Sequence, residues 1–255
     1  MKKPIILVTN DDGITAPGIS NLIDFMCELG TVYVVAPDKA QSGMGHAVTI
    51  NSTLHCEEVK IHKNVEKEWS CSGTPADCVK IAIDQLLPQR PDVCVSGINH
   101  GSNSSINVIY SGTMSAAVEA GIEEISAIGF SLCDFAYEAD FISAKNHILS
   151  ITRNVIEKGL PKGIVLNVNI PKATENALKG VKICRQADAR WIEEFDKRTD
   201  PRGREYYWLT GEFKNLDNGK DTDEFALENN YISIVPIQFD LTAYQFIKEL
   251  SNWEF

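Results

Sequence analysis

Two adjacent carboxylates, Asp11 and Asp12, follow a short apolar run at residues 5–9. Neighbouring carboxylates repel each other, so the pair is costly unless a cation or strong hydrogen bonds compensate for the repulsion. Hard oxygen ligands of this kind suit Mg²⁺ or Mn²⁺. The alternative is that one Asp makes a turn while the other caps the next helix, because Asn-Asp-Asp-Gly is also a turn signal. The motif predicts a metal site, and the alternative of a turn with a helix cap remains.

A second polar loop, residues 37–46, follows the apolar run at 32–36. This loop contributes the hydroxyl of Ser42, a flexible backbone at Gly43 and the imidazole of His46. Taken by itself, it is only a polar loop and is weak evidence for a functional site. The histidine could be an acid, a phosphate contact or a surface residue.

A third polar stretch begins after the apolar run at 92–96 and extends to residue 115. Long loops flanked by firm apolar structure are usually functional. Ser111, Gly112 and Thr113 directly precede a predicted helix, where hydroxyls and backbone amides can meet an anion at the positive helix end. The alternative is a helix cap with a glycine turn.

A fourth small polar segment, residues 72–77, also precedes a predicted helix. Thr74 can cap this helix, Pro75 suits its first turn, and Asp77 favours its positive N-terminus. Helix capping is the simplest role for the segment, and substrate contact is the second.

The elements that must position these loops are short apolar strands alternating with amphipathic helices. Continuous apolar runs are typical of strands buried on both faces of a parallel sheet. Ligands of such open sheets bind outside the carboxyl ends of the strands, where helix N-termini also point. The pattern predicts strands at 5–9, 32–36, 92–96, 127–132, 164–170 and 231–237, and helices at 17–29, 75–87, 113–121, 139–158 and 243–250.

Two regions interrupt this alternation of strands and helices. Residues 48–69 alternate and are charged, which predicts an antiparallel hairpin. Residues 181–213 carry aromatics in extended alternation, and residues 211–230 are polar with little hydrophobic reason to pack. We therefore expect an α/β catalytic core at residues 1–175 and a C-terminal segment at 176–255, with an extended hairpin and a terminal helix.

Composition limits the classes of function. The 24 basic and 35 acidic residues give a formal net charge of -11, which disfavours binding of a nucleic-acid polymer. A phosphate-handling site in so acidic a chain should rely on a metal ion and backbone amides. Seven cysteines without a C-x-x-C pair indicate a reducing compartment. The N-terminal apolar run is too short for a signal peptide, and no run would span a membrane, so we expect a cytoplasmic protein.

The polar loops, in their order along the chain, closely resemble the motifs of the SurE family of nucleotidases. The matching segments are 6–14 with 16–18, 35–38 with 42–43, 73–77, and 96–103 with 110–113. Segments 167–171, 222–223 and 231–233 also fit, so the resemblance extends from residue 5 to about residue 242. This ordered agreement over most of the chain makes coincidence an inadequate explanation.

The resemblance implies a Rossmann-like three-layer α/β sandwich with a mostly parallel sheet, whose C-terminal segment exchanges between the subunits of a homodimer or homotetramer. It also implies hydrolysis of nucleoside 5′- and 3′-monophosphates, with short polyphosphate cut by some members. One divalent cation per subunit, Mg²⁺ or Mn²⁺, would be held by Asp11, Asp12, Ser42 and Asn99. The chemistry would centre on Asp11 and Asp12. The substrate contacts would come from Asn10, Gly43, Ser111, Gly112 and Thr113.

One position departs from the family pattern, and two rival functions remain to be weighed. Asn107 lies near the point where the family commonly has Gly and Asp, so an acidic role there is in doubt. A phosphatase with an aspartyl nucleophile usually needs two aspartates separated by one residue, and here they are adjacent. The alternative is a non-catalytic nucleotide- or phosphate-binding protein, although neither G-x-G-x-x-G after the first strand nor G-x-x-x-x-G-K-[ST] occurs.

Overall fold

A computed structural model of the protein describes residues 3–136, 138–172 and 178–254. Its strands are β1 (Ile5–Thr9), β2 (Thr31–Pro37), β3 (Cys56–Val59), β4 (Lys67–Cys71), β5 (Val93–His100), β6 (Ala127–Cys133), β7 (Ile164–Pro171), β8 (Val181–Ile183), β9 (Ala189–Thr199), β10 (Glu205–Asn215) and β11 (Ile232–Gln238). Its α-helices are α1 (Pro17–Cys27), α2 (Pro75–Ile81), α3 (Gly112–Ile122), α4 (Lys145–Lys158), α5 (Asp223–Glu228) and α6 (Tyr244–Leu250). A π-helical turn, Ala82–Leu86, continues α2.

Nine strands form one sheet in the order β3-β4-β2-β1-β5-β6-β7-β11-β8. The pairs from β4 through to β7 are parallel, whereas β3 and β11 run antiparallel to their neighbours β4 and β7. One core cluster packs α1 and α4 on one face of the sheet, and a second packs α2 and α3 on the other. This arrangement confirms the predicted three-layer α/β fold with a mostly parallel sheet.

The hairpin predicted at residues 48–69 is only partly right. Strands β3 and β4 pair antiparallel, as expected, but β4 also joins the main sheet parallel to β2. The residues of β4 are mostly buried, because the strand lies between β2 and the edge strand β3. The alternating sequence of this segment therefore predicted its strands. The position of β4 in the main sheet depends on burial against β2, which the alternation does not indicate.

Helix α4 begins at Lys145, later than the predicted residue 139. The backbone amides of Ile142 and Ser143 donate to the Asp140 carboxylate at 2.9 and 3.2 Å, and a 3₁₀ turn occupies Ile142–Ala144. A short side-chain acceptor of this kind competes with the helical hydrogen bonds, and it delays the start of the α-helix.

The segment 211–230, for which the sequence offers little hydrophobic reason to pack, is held in part by polar contacts. Thr222, Asp223 and Ala226 are fully buried. The Asp223 carboxylate accepts from the backbone amides of Ser105 at 2.7 Å and Ala187 at 2.9 Å. Polar contacts to distant loops thus hold this segment, and such contacts leave no hydrophobic pattern in the sequence. The predicted domain boundary at residue 175 lies outside the described residues.

Strands β9 and β10 form a separate two-stranded sheet with eleven directly paired positions. This hairpin exposes large apolar side chains, including Phe195 at 67% and Trp208 at 58% of their surface. Helix α6 also buries none of its residues. Exposed apolar surface on this scale marks an interaction site. In the part of the chain that the structure describes, every helix is too short or too polar to cross a bilayer.

Asp77 stabilises the start of helix α2 through several hydrogen bonds. Its carboxylate completes a capping box with Thr74 at the start of α2, and it also accepts from the Thr49 hydroxyl at 2.6 Å and the Thr49 amide. Burial acts to raise the pKa of Asp77, but the hydrogen bonds from Thr49 and Thr74 outweigh it and lower the pKa. We expect Asp77→Asn to reduce the free energy of unfolding by about 2 kcal/mol at neutral pH.

The effect should depend on pH in one direction. A carboxylate whose pKa is lowered in the native state adds stability above its ordinary value of 3.8, and this stability is lost as pH falls through the native pKa. The wild-type advantage over Asp77→Asn should therefore shrink in acid, as measured by urea unfolding at several pH values. An advantage that stays constant into strong acid would contradict this prediction.

Candidate active site

A pocket of about 640 Å³ opens at the carboxyl ends of β1 and β5. Its lining combines the predicted polar loops with residues from the C-terminal part of the chain. The lining residues are Asp11, Ser42, Gly43, Asn99, His100, Ser102, Asn103, Ser104, Asn107, Tyr110, Ser111, Cys133, Phe135, Trp191, Phe213, Glu224 and Leu227. Its volume falls in the range of small-molecule sites.

Asp11 lies at the pocket wall, immediately after β1 and its neighbour Asn10. Its backbone carbonyl accepts from the Gln41 amide at 2.7 Å, and its carboxylate accepts a short hydrogen bond from the Thr113 hydroxyl. Burial raises the pKa of Asp11 to about 6; the Thr113 hydrogen bond opposes this shift and the Asp12 charge adds to it. The carboxylate is thus held rigidly in a place where its charge is costly.

Asp12 is partly exposed and lies next to the pocket rather than in its lining. Its Oδ2 accepts from the His100 backbone amide at 3.3 Å and lies 3.8 Å from His100 Nδ1. The His100 ring lines the pocket and packs edge-on against Phe141, with 4.9 Å between ring centroids. The two aspartates therefore face different partners, Thr113 for one and His100 for the other.

The loop with Ser42 and Gly43 is tied to the start of α3. The Gly45 amide donates to the Tyr110 carbonyl at 3.1 Å, and His46 Nε2 lies 2.7 Å from the Glu119 carboxylate. Lys80 of α2 contacts the same carboxylate at 2.6 Å. His46 thus connects its loop to α3, and it is neither in the pocket lining nor a free surface residue. His46 therefore has a structural role, which is none of the three that the sequence left open.

Asn99 reaches the pocket from an irregular part of β5. The register between β5 and β6 shifts between Ser96 and Asn99, and such irregularities redirect side chains near active sites. The Asn99 side-chain amide donates to the carbonyls of Gly101 at 2.8 Å and His100 at 3.2 Å, which orients the side chain. Helix α1 packs against this irregularity so closely that a Cβ on Gly18 would lie 1.9 Å from the Ile98 carbonyl oxygen.

The predicted metal ligands fit a hard divalent cation in chemistry. Asp11, Ser42 and Asn99 share the pocket wall and offer charged and neutral oxygens, and Asp12 is adjacent. The buried Oδ1 of Asn10 has no hydrogen-bond partner among the described residues. The described residues contain no group of three or more His, Cys, Asp or Glu side chains arranged for a metal. Any ion here would therefore be held by two carboxylates together with neutral oxygens.

The predicted anion-binding residues lie at the N-terminus of α3. Ser111 lines the pocket, and its hydroxyl caps the helix by accepting from the Met114 amide at 3.0 Å. The Gly112 backbone is packed against Asp11, because a Cβ on Gly112 would lie 2.6 Å from Asp11 Cβ. The Thr113 hydroxyl is committed to Asp11. The hydroxyls of this motif are thus structural, and the Thr113 backbone amide also bonds to the Asp11 carboxylate. An anion would be met by the other amides of this helix N-terminus.

Four aromatic residues, Tyr110, Phe135, Trp191 and Phe213, form an aromatic wall in the lining of the pocket. Trp191 Nε1 donates to Asn107 Oδ1 at 2.8 Å, and the Trp191 and Phe213 rings meet edge-on at 5.6 Å. Asn107, which departs from the family pattern, therefore accepts an indole N–H, a role that needs no charge. Sequence reasoning missed this wall, and the aromatic content of residues 181–213 was the signal for its members Trp191 and Phe213.

Two hydrogen-bond networks hold residues of the pocket lining in place. Asn103 pairs with Asn169 and Ser131, each at 2.8 Å, and its carbonyl accepts from Asn167 at 2.8 Å. Glu224, at the start of α5, lines the pocket and accepts from the Ser104 hydroxyl. Burial raises the pKa of Glu224, although this hydrogen bond acts against the shift. The C-terminal segment thus completes a site that the polar loops begin.

Comparison with known proteins decides the family. A model of the family described as survival protein SurE matches residues 6–193. The chain belongs to the SurE family. The 5′-nucleotidase SurE of Christiangramia forsetii is 69% identical over 253 residues, covering 99% of this chain and 97% of the relative. The 5′-nucleotidase SurE of Flavobacterium psychrophilum is 64% identical over 254 residues, covering 100% of this chain and 99% of the relative.

A solved SurE structure agrees with the fold. The crystal structure of the SurE protein from Aquifex aeolicus superimposes with a TM-score of 0.83 and 36% sequence identity. The match covers 97% of this chain and 98% of that one. The SurE-like α/β fold expected from the sequence motifs is therefore confirmed.

Proposed function

We propose that this chain is a metal-dependent phosphomonoesterase that hydrolyses nucleoside 5′-monophosphates, and also 3′-monophosphates, to nucleoside and phosphate. The observation that carries the proposal is a single pocket that brings Asp11, Ser42 and Asn99 together with the N-terminus of α3. The name 5′-nucleotidase, carried by relatives that are 69% and 64% identical over nearly the whole chain, supports the same activity.

The charge of the pocket supports dependence on a metal ion. Among the described residues, the lining contains no lysine or arginine to offset the charge of a phosphate group. The proposed holders of one Mg²⁺ or Mn²⁺ ion are Asp11, Asp12, Ser42 and Asn99. A bound divalent cation would polarise the phosphoryl oxygens and offset the charge that develops on them in the transition state.

The protein's own groups would bind the substrate and orient the attacking water. Backbone amides of Ser111 and Gly112, at the start of α3, would hold phosphoryl oxygens by preorganised electrostatics. One of the two aspartates, Asp11 or Asp12, would orient the attacking water. Thr113 would keep Asp11 in place through its hydrogen bond. The aromatic wall would stack on the nucleobase, because aromatic faces bind bases with little regard to sequence.

The direct test is phosphate release from a panel of nucleoside monophosphates. We expect activity that disappears with EDTA and returns when Mg²⁺ or Mn²⁺ is added, with 5′- and 3′-monophosphates both cleaved. A protein that binds nucleotides in calorimetry yet releases no phosphate with any metal would instead support the alternative, a non-catalytic nucleotide- or phosphate-binding protein. Activity that is unaffected by EDTA would contradict the proposed dependence on a metal ion.

Trp191 offers a test of the nucleobase contact. We expect Trp191→Ala to raise KM for a nucleoside monophosphate roughly tenfold with little change in kcat, because base stacking on an aromatic ring is lost. Ribose 5-phosphate, which has no base, should be hydrolysed by the variant as well as by the wild type. Steady-state kinetics on both substrates measures the difference.

Trp208→Ala is the matched control for this variant. Trp208 lies in the same hairpin and is exposed, but it is absent from the pocket lining. Its replacement should leave KM for both substrates unchanged. If Trp191→Ala raised KM equally for the nucleoside monophosphate and for ribose 5-phosphate, the ring would support the shape of the pocket and would not bind the base.

We also propose that the protein is a cytoplasmic homodimer or homotetramer in which the C-terminal segment exchanges between subunits. The exposed apolar side chains of the β9–β10 hairpin and the unburied helix α6 support self-association. All seven cysteines are free thiols, which supports a reducing compartment. Light scattering that finds a monomer at micromolar concentration would contradict the oligomer.

A further inference from the structure

Three cysteines form a cluster outside the pocket lining. Cys56 is on the edge strand β3, Cys71 is on β4, and Cys78 is in α2. All three pack in the core cluster on the α2 face of the sheet. Cys71 and Cys78 are fully buried, whereas Cys56 is only half-buried. The proposed phosphatase chemistry uses none of them.

The strand register brings two of these thiols face to face. Cys56 is directly opposite Cys71 in the antiparallel pair of β3 and β4. The neighbouring pair, His55 and Ser72, is hydrogen-bonded, because the Ser72 amide donates to the His55 carbonyl at 2.9 Å. Hydrogen-bonded and non-hydrogen-bonded pairs alternate along such a ladder, so Cys56 and Cys71 form a non-hydrogen-bonded pair.

Non-hydrogen-bonded pairs are the closer kind. Their Cα atoms are about 4.5 Å apart and their side chains lie on the same face, which is within the Cα range of disulfides, roughly 4.4–6.8 Å. Strand β3 is the outermost strand of the sheet, so it has a neighbour on only one side and can move to let the two sulfur atoms meet. Cys78 belongs to a packed helix and is fully buried, and it has no such freedom.

The hydrogen bonds within the cluster make Cys71 the acidic member. The thiols of Cys78 and Cys56 and the Gly73 amide all donate to the Cys71 sulfur, and they lower the pKa of Cys71 despite its burial. Burial, together with the bond to Cys71, raises the pKa of Cys56. A thiolate is the reactive form toward oxidants, and it must be accessible to them. Because Cys71 is fully buried, its attack on an oxidant requires movement of the edge strand β3, which covers it on one side.

We propose that Cys56 and Cys71 are a redox modification site, which a hydroperoxide converts to a reversible cross-strand disulfide. With hydrogen peroxide, the Cys71 thiolate attacks one oxygen, the O–O bond breaks, and sulfenic acid and hydroxide form. The Cys56 sulfur then attacks the Cys71 sulfur, the S–S bond forms, the S–O bond breaks, and the Cys56 proton leaves with the hydroxide as water. Two thiols are oxidised by two electrons, and one peroxide is reduced to two waters.

The disulfide would join two strands next to the candidate active site. The Cys71 carbonyl accepts from the Asp38 amide at 2.8 Å, at the start of the loop that carries Ser42. The bond would tie the edge strand β3 to the strand that supports this loop. Reduction by a dithiol would return both thiols by exchange.

The test treats the full-length reduced protein with hydrogen peroxide, blocks the remaining thiols with an alkylating reagent, and maps the digested peptides by mass spectrometry. We expect a dominant link between the Cys56 and Cys71 peptides, with a loss of about 2 Da that dithiothreitol reverses. Cys56→Ser should abolish the link. Cys27→Ser is the matched control, a half-buried thiol outside the cluster whose loss should leave the link unchanged.

Three results would overturn the proposal. The first is oxidation of Cys27 without any Cys56–Cys71 link in the folded protein. The second is a dominant link between Cys71 and Cys78, which would mean that the helix and not the edge strand supplies the partner. The third is an equal yield of the Cys56–Cys71 link from urea-unfolded chains, because the fold would then contribute nothing. None of these readouts depends on phosphatase activity.

Discussion

Replacing Asp11 with asparagine is expected to lower phosphate release by about 10³-fold or more, because it removes a charged metal ligand and the charge that would orient water. The substitution keeps the shape of the side chain and an oxygen that can still accept from Thr113. The fold should therefore survive. Initial rates with saturating Mg²⁺ or Mn²⁺, beside circular dichroism spectra of both proteins, measure the two effects separately.

The same substitution should make the metal-free protein more stable. Burial raises the pKa of Asp11 to about 6, so its charged form opposes folding at neutral pH. In EDTA we expect Asp11→Asn to gain about 1–2 kcal/mol in free energy of unfolding. A raised carboxyl pKa costs stability above the native value, so the gain should shrink as pH falls from about 6 toward 3.8.

Asp24→Asn is the control for both effects. Asp24 is an exposed carboxylate on α1, and its neutralisation should change neither phosphate release nor stability in EDTA. An Asp11→Asn variant that keeps its activity within about tenfold of the wild type would exclude Asp11 from the metal site and from catalysis.

Replacing Gly112 with alanine is expected to lower kcat about 100-fold, because it displaces Asp11. The added methyl carbon would lie 2.6 Å from Asp11 Cβ and 2.9 Å from its Oδ2, closer than real contacts allow. A shift of about 1 Å in a catalytic group can cost a factor of this size. Overpacking should also reduce the free energy of unfolding by about 1–3 kcal/mol.

Gly121→Ala is the control that separates the loss of kcat from the loss of stability. It is in the same helix α3, and its added carbon would lie 2.5 Å from Val165 Cγ1, far from the aspartates along the helix. We expect a similar loss of stability in denaturant unfolding with nearly normal kcat. If both variants lost activity in parallel with stability, the close contact between Gly112 and Asp11 would have no special role.

The sequence determined the main strands and helices of the α/β core and the order of the polar loops, because these depend on local rules. Continuous apolar runs marked the buried strands, and parallel strands place their carboxyl ends at one edge. Three polar loops could thus be expected at one edge, and the resemblance to the SurE family named Asp11, Ser42 and Asn99 within them. The structure does bring these three residues to one pocket. The caps of α2 and α3 were equally readable, since a cap involves residues only a few positions apart.

Only the tertiary structure decided what each polar side chain contacts. The hydroxyl of Thr113 bonds to Asp11, and His46 bonds to Glu119, 73 positions away. Trp191 reaches Asn107 across 84 positions to complete the aromatic wall. Local propensity and periodicity carry no information about such distant pairs, because their geometry follows from how the sheet, the helices and the C-terminal segment pack. The sequence therefore determined which residues meet at the strand ends, and packing decided which of them face the pocket.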